Sequence, residues 1–285
     1  SYQFLGIAES YRCATDGSRR IMSIRQFNYG RNRRGRISIA AERFLYSALF
    51  LNIALQIAYL YIEDSKYILA SSVFASIFSL AHAQLAYAKR YFWSYFIFTL
   101  VMGFIIEKTS LTTSWPFGEV SYHHLGFEVL GVPLLVLVFW LASIHPLLVM
   151  ARKIAPNWVL LSGAAVVTSY ALFFDQLLTA HNYKTWKFDG AHIPFQTHIP
   201  LDNLIGWLFV GVVLFGLANL ILPKDRRKIS AGLTSIDIFL VWTWIYNVIA
   251  NIFFFGKPGT AFLGGLLYGA LLLFYLSKRY LGSPN

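Results

Sequence analysis

Apolar residues run along this chain in eight stretches, near 43–62, 67–88, 91–107, 126–150, 157–180, 204–222, 235–255 and 259–277. Each approaches the roughly 20 residues that a membrane-crossing helix needs. Short polar connectors separate them and leave no room for a soluble domain. The pattern predicts an all-α, polytopic transmembrane helical bundle of about eight spans. A basic N-terminal arm over 1–41 precedes a single transmembrane domain over 42–285. The third window is short unless it reaches back to Lys89. The fourth contains Pro133 and Pro146, which a spanning helix tolerates where its neighbours satisfy the freed carbonyls. Two connectors, about 108–125 and 181–203, are long enough to carry function.

Composition agrees with lipid as the solvent: 57% of residues are hydrophobic and only 13% charged, against about 25% charged in soluble domains. A net charge of +11 would suggest nucleic acid in a soluble protein, but its placement argues otherwise. With eight alternating spans, nineteen of the 24 basic residues fall on one side. The other side receives Lys66, Lys108, Lys184, Lys187 and Lys257. The positive-inside rule then puts both termini in the cytoplasm of a multi-pass protein of the plasma membrane, with no nucleic-acid partner. Residues 1–41 hold eight Arg and no apolar core, so they read as an arm on anionic membrane lipids rather than a secretory signal. An organellar transit peptide shares that composition, and Met22 is an alternative start. The single cysteine, Cys13, excludes a disulfide framework or a thiolate cluster.

Carboxylates at membrane depth are costly and mark sites. Glu107, Glu128, Asp175 and Asp237 lie in or beside spans. Counting about 1.5 Å per residue, Glu107 and Asp175 reach the same level near the non-cytoplasmic face. Glu128 is expected to open the next helix there, and Asn203 begins another. Asp237 follows Thr234 and Ser235 in a first turn, where a carboxylate reads as a cap or dipole partner. His82 and His145 suit a helix-to-helix hydrogen bond. His123, His124, His181, His192 and His198 sit in the long connectors without the clustered spacing of a membrane di-iron enzyme, so no metal site is expected. There is no Gly-rich phosphate loop and no Gly-x-Ser-x-Gly elbow.

The stretch Trp115-Pro116-Phe117-Gly118, followed by Tyr122, Leu125-Gly126, Gly131-Val132-Pro133 and Trp140, resembles the carotenoid biosynthesis protein family, in particular its CruF-type (bisanhydrobacterioruberin) hydratases. A second block continues the resemblance with Asp175, Trp186 and Asn203-Leu204-Ile205-Gly206-Trp207. The chain departs from the family pattern at Ser114, Val120, Ala171 and Gln176. The resemblance implies hydration of a terminal isoprene double bond in a linear or half-cyclised carotenoid. Such a reaction proceeds by acid catalysis through a tertiary cation and requires no redox cofactor, nucleotide or metal. Asp175 and Glu107 are the implied catalytic pair, with acid and base roles unassigned. Trp115, Phe117, Tyr122, Glu128, Trp186, Asn203 and Trp207 are the candidate substrate-binding residues. Partners are then the carotenoid or polyene lipid, membrane lipids and neighbouring carotenoid enzymes. Two other readings stay open: a transporter or carotenoid-binding subunit without catalysis, and a proton-initiated polyene cyclase or isomerase.

Overall fold

The computed structural model describes residues 37–281; most of the basic arm assigned to 1–41 lies outside them. Among the described residues, eight helices are long and apolar enough to cross a membrane. They are α1 (Ile39–Ile62), α2 (Ser65–Ala86), α3 (Lys89–Thr113), α4 (Leu134–Ile154), α5 (Val159–Ala180), α6 (Leu201–Ile221), α7 (Thr234–Ile249, continued by a π turn, Ala250–Phe254) and α8 (Pro258–Tyr280). Among them α4 and α5 are the most enclosed, which makes them the core on which the outer helices pack.

Six short strands occupy the two long connectors: β1 (Glu119–Tyr122), β2 (Glu128–Val129), β3 (Val132–Pro133), β4 (Lys184–Lys187), β5 (His192–Ile193) and β6 (Gln196–Pro200). They form three antiparallel ribbons, β1–β4, β2–β3 and β5–β6. Two span boundaries consequently differ from the sequence expectation. The fourth helix starts at Leu134 rather than near 126, because Leu130 and Gly131 both adopt positive φ and fold 128–133 into a hairpin. Hydropathy alone counts Phe127 and the hairpin's Val129 and Leu130 as span. The third helix does reach back to Lys89 and runs on to Thr113, so Glu107 lies well inside it rather than at a solvated end. Lys108 turns away to donate to the Leu130 carbonyl at 2.9 Å.

The basic ends of the helices meet at one end of the bundle. There the Arg152 guanidinium donates to the Leu222 carbonyl (2.9 Å) and the Arg227 amide to that of Ala86 (3.1 Å). Asp237 lies in the first turn of α7, as expected of a dipole partner, but does not cap it. The cap position of α7 belongs to Leu233, and the Asp237 carboxylate instead accepts from Tyr275 (2.6 Å), Arg279 Nε (2.7 Å) and Tyr280 (2.7 Å), tying α7 to α8. His82 and His145 make the expected bond across helices, Nδ1 to Nε2 at 2.9 Å. The Gly232 carbonyl, 3.1 Å from His82 Nε2, can only accept. It therefore sets a direction: His82 donates to Gly232, His145 donates to His82, and Tyr91 donates to His145 Nδ1 at 2.7 Å. Beside Pro146, the Tyr95 hydroxyl enters the α4 ladder, donating to Leu141 O (2.6 Å) and accepting from the His145 amide (3.3 Å). Side-chain insertion of this kind lets a proline stand inside a span.

Candidate active site at the ribbon end of the bundle

Glu107 and Asp175 both sit at the end opposite the basic one, buried to 2% and 1% exposure. On α3, Gly103 lies one turn before Glu107. A Cβ at Gly103 would come within 3.2 Å of the Trp140 ring, so the bare glycine lets that indole lie close and donate Nε1–H to Glu107 Oε1 at 2.9 Å. The Tyr122 hydroxyl donates to Oε2 at 2.8 Å. Burial and the adjacent Glu107 carboxylate hold the Tyr122 phenol well above its ordinary pKa, so it remains a neutral donor. No cation lies within ion-pair distance of Glu107 among the described residues.

Asp175 is surrounded differently. Asn203 and Trp207, one turn apart on α6, both donate to Oδ2, at 2.8 and 2.7 Å. Lys184 Nζ reaches Oδ1 at 2.8 Å, forming an ion pair whose side chains are only 2% and 1% exposed. Burying such a pair is costly unless its remaining hydrogen-bonding capacity is met, and here the two α6 donors complete the carboxylate's shell. The ammonium also lies over the rings of Trp186, Phe117 and Tyr122, at 4.7, 5.4 and 5.7 Å from their centroids. These distances fall within cation–π range.

One aromatic wall joins the two carboxylates. Trp140, bonded to Glu107, and Trp207, bonded to Asp175, have ring centroids 5.6 Å apart, and Phe117 lies 4.9 Å from Trp207. Gly206 explains how the loop before β1 gets so near α6. A Cβ there would stand 2.3 Å from the Pro116 carbonyl oxygen, so only glycine admits the loop. Trp186 Nε1–H closes the arrangement by donating to Phe117 O at 3.1 Å. Among the buried acceptors that meet no donor within the described residues are Asn203 Oδ1 and, on β6, Gln196 Oε1. A cleft of about 530 Å³ opens beside the enclosure, lined by Gln176, Asn182, Thr185, Trp186 and His198 among others.

Of the residues singled out from sequence, Glu107, Asp175, Phe117, Tyr122, Trp186, Asn203 and Trp207 come together here. Two do not. Trp115 is 53% exposed and rests edge-on against Phe209 at 5.0 Å, the position of a membrane-interface aromatic. Glu128 is exposed in β2, paired with Pro133, because the helix it was expected to open starts six residues later. Lys184 and Trp140 were not singled out as site residues. In the sequence Lys184 reads only as a basic residue of the sparsely charged side. Its strand alternation with Trp186, which puts both on one face, is the signal that points inward. The connector histidines are dispersed: His123 meets Thr185 at 3.0 Å, while His181 pairs with Tyr59. Among the described residues no three His, Cys, Asp or Glu side chains gather in a metal-binding group.

Neither a curated protein sequence nor a solved structure matches the chain. A family model described as carotenoid biosynthesis protein does, over residues 64–275. That match covers most of the 285 residues and contains both carboxylates with their partners, so the chain belongs to the carotenoid biosynthesis protein family.

Proposed function

We propose that this protein is a membrane carotenoid hydratase, adding water across a terminal isoprene double bond to give a tertiary alcohol. Family membership places it in carotenoid biosynthesis. The observation that carries the finer reading is the pairing of two buried carboxylates of unlike surroundings in one aromatic enclosure. Glu107 has neutral donors only and serves as the proton source. It transfers its proton to the less substituted carbon of the double bond, and the π electrons form the new C–H bond. The tertiary cation that remains is stabilised by the aromatic faces beside Asp175, those of Phe117, Tyr122 and Trp186, and by the fixed negative charge of that carboxylate. Water then adds to the cation and gives up a proton to the Glu107 carboxylate, which restores the acid. Asn203 Oδ1, buried beside Asp175 without a donor, is suited to hold that water. Mutual geometry of this kind precedes any argument from proton affinity.

The test is product analysis in purified membranes supplied with a linear carotenoid in oxygen-labelled water. The expected product is heavier than the substrate by one water and carries the label. An unlabelled product of unchanged mass would instead indicate cyclisation or isomerisation, and binding with no product would indicate a carrier. We further infer that the basic end of the bundle faces the cytoplasm of the plasma membrane, since ten Lys and Arg at that end flank α2 to α8 in the described chain.

A further inference from the structure

The cation at the centre of the site is the protein's own. Lys184 Nζ has a carboxylate oxygen at 2.8 Å on one side and three aromatic rings within 5.7 Å on the others. Rings plus a carboxylate form the environment that recognises an organic cation. Lys184 is carried by the β1–β4 ribbon rather than by a spanning helix, and its neighbours Asn182, Thr185 and Trp186 line the open cleft of about 530 Å³. The ammonium therefore has somewhere to go. A strand end backed by open space yields at lower cost than a helix core.

We propose that the Phe117, Tyr122 and Trp186 cage over Asp175 is a seat for an organic cation, filled at rest by Lys184, and that a ligand cation with an apolar tail takes the seat by displacing Lys184 into the cleft. On the hydration reading, on which this proposal rests for its natural ligand, that cation is the tertiary carbocation. While the seat is empty of ligand, Lys184 keeps the Asp175 carboxylate from standing unpaired in the bundle.

The test uses the full chain in lipid nanodiscs and N,N-dimethylgeranylamine, a protonated tertiary amine that lacks an acylatable nitrogen. Acetylation of Lys184 by an amine-reactive ester is read by peptide mass spectrometry, with exposed Lys187 as the internal reference. Without the amine, Lys184 should react at least about tenfold more slowly than Lys187, as burial requires. With the amine bound, as followed by native mass spectrometry, the two lysines should approach the same rate. The matched hydrocarbon without the nitrogen should leave Lys184 protected. Asp175→Asn should weaken amine binding. The proposal is overturned if the amine binds while Lys184 stays protected, or if it binds no better than the hydrocarbon. Because labelling requires no turnover, exposure of Lys184 by the amine together with a failed hydration assay would refute the reaction and leave the cation seat standing.

Discussion

Tyr122 and Lys184 face each other directly across the β1–β4 ribbon, and each donates to a different buried carboxylate, Tyr122 to Glu107 and Lys184 to Asp175, both at 2.8 Å. One cross-strand pair thus locks both acids from the same side. Tyr122→Phe keeps the ring and removes only the donor. A hydrogen bond to a charged group contributes about 1.5–3 kcal/mol, so turnover is expected to fall by about ten- to a hundredfold. Melting in detergent should change little. Unaltered turnover would show that the ribbon does not tune Glu107.

The loop before β1 is seated by the missing side chain of Gly206. In Gly206→Ala the new methyl would meet the Pro116 carbonyl backbone, which cannot swing aside as a side-chain tip does. Overpacking of this sort costs about 1–3 kcal/mol. A lowered melting temperature and reduced activity are expected, whereas Gly190→Ala, with nothing within 4 Å, should match the wild type. Equal behaviour of the two variants would argue against the loop's close seat on α6.

At the far end, Asp237 is an inter-helix anchor. Asp237→Asn strips the part-exposed Arg279 of its counter-charge at a carboxylate that is 7% exposed, and losing a hydrogen bond between charged groups costs about 1.5–3 kcal/mol. Thermal stability should fall, while the protein that remains folded should turn over normally, because no residue of the carboxylate enclosure contacts Asp237. A neutral effect on stability would return Asp237 to the role of a helix-end charge.

Orientation follows from the basic end. A cysteine introduced at Asp189 should react with an impermeant reagent in intact cells, and one at Ser283 should be protected. The reverse result would invert the topology.

The sequence announces the spans because length and apolarity are local properties, and it announces Glu107 and Asp175 because depth along a helix can be counted. Three features escape that reading for physical reasons. The 128–133 hairpin carries Val129, Leu130 and Val132 and so reads as the start of the apolar run after it, and the positive-φ residues at 130 and 131 bend it away. Lys184 looks like a loop cation until β1 is paired with β4, which is a long-range contact. Asp237 gives no sign of Tyr275, Arg279 and Tyr280, some forty residues on. Ser114 illustrates the opposite case. It stands where the family pattern has glycine, and it adopts φ 59° as it ends α3, the left-handed conformation that favours glycine at a helix C-terminus.

In the proposed mechanism Glu107 supplies the proton and Asp175 holds the charge that faces the cation. The most direct measurement is turnover of a linear carotenoid by Glu107→Gln and Asp175→Asn in purified membranes, alongside the melting temperature of each. The amides keep the shape of the side chains but can neither deliver an acid proton nor carry the charge. General acid–base participation contributes about a hundred- to ten-thousandfold, and a preorganised group aimed at the developing charge about a hundred- to a thousandfold. Loss of hydrated product on those scales is expected in both variants, with Glu107→Gln still folded near the wild-type temperature. Wild-type turnover by either folded amide variant would contradict the mechanism.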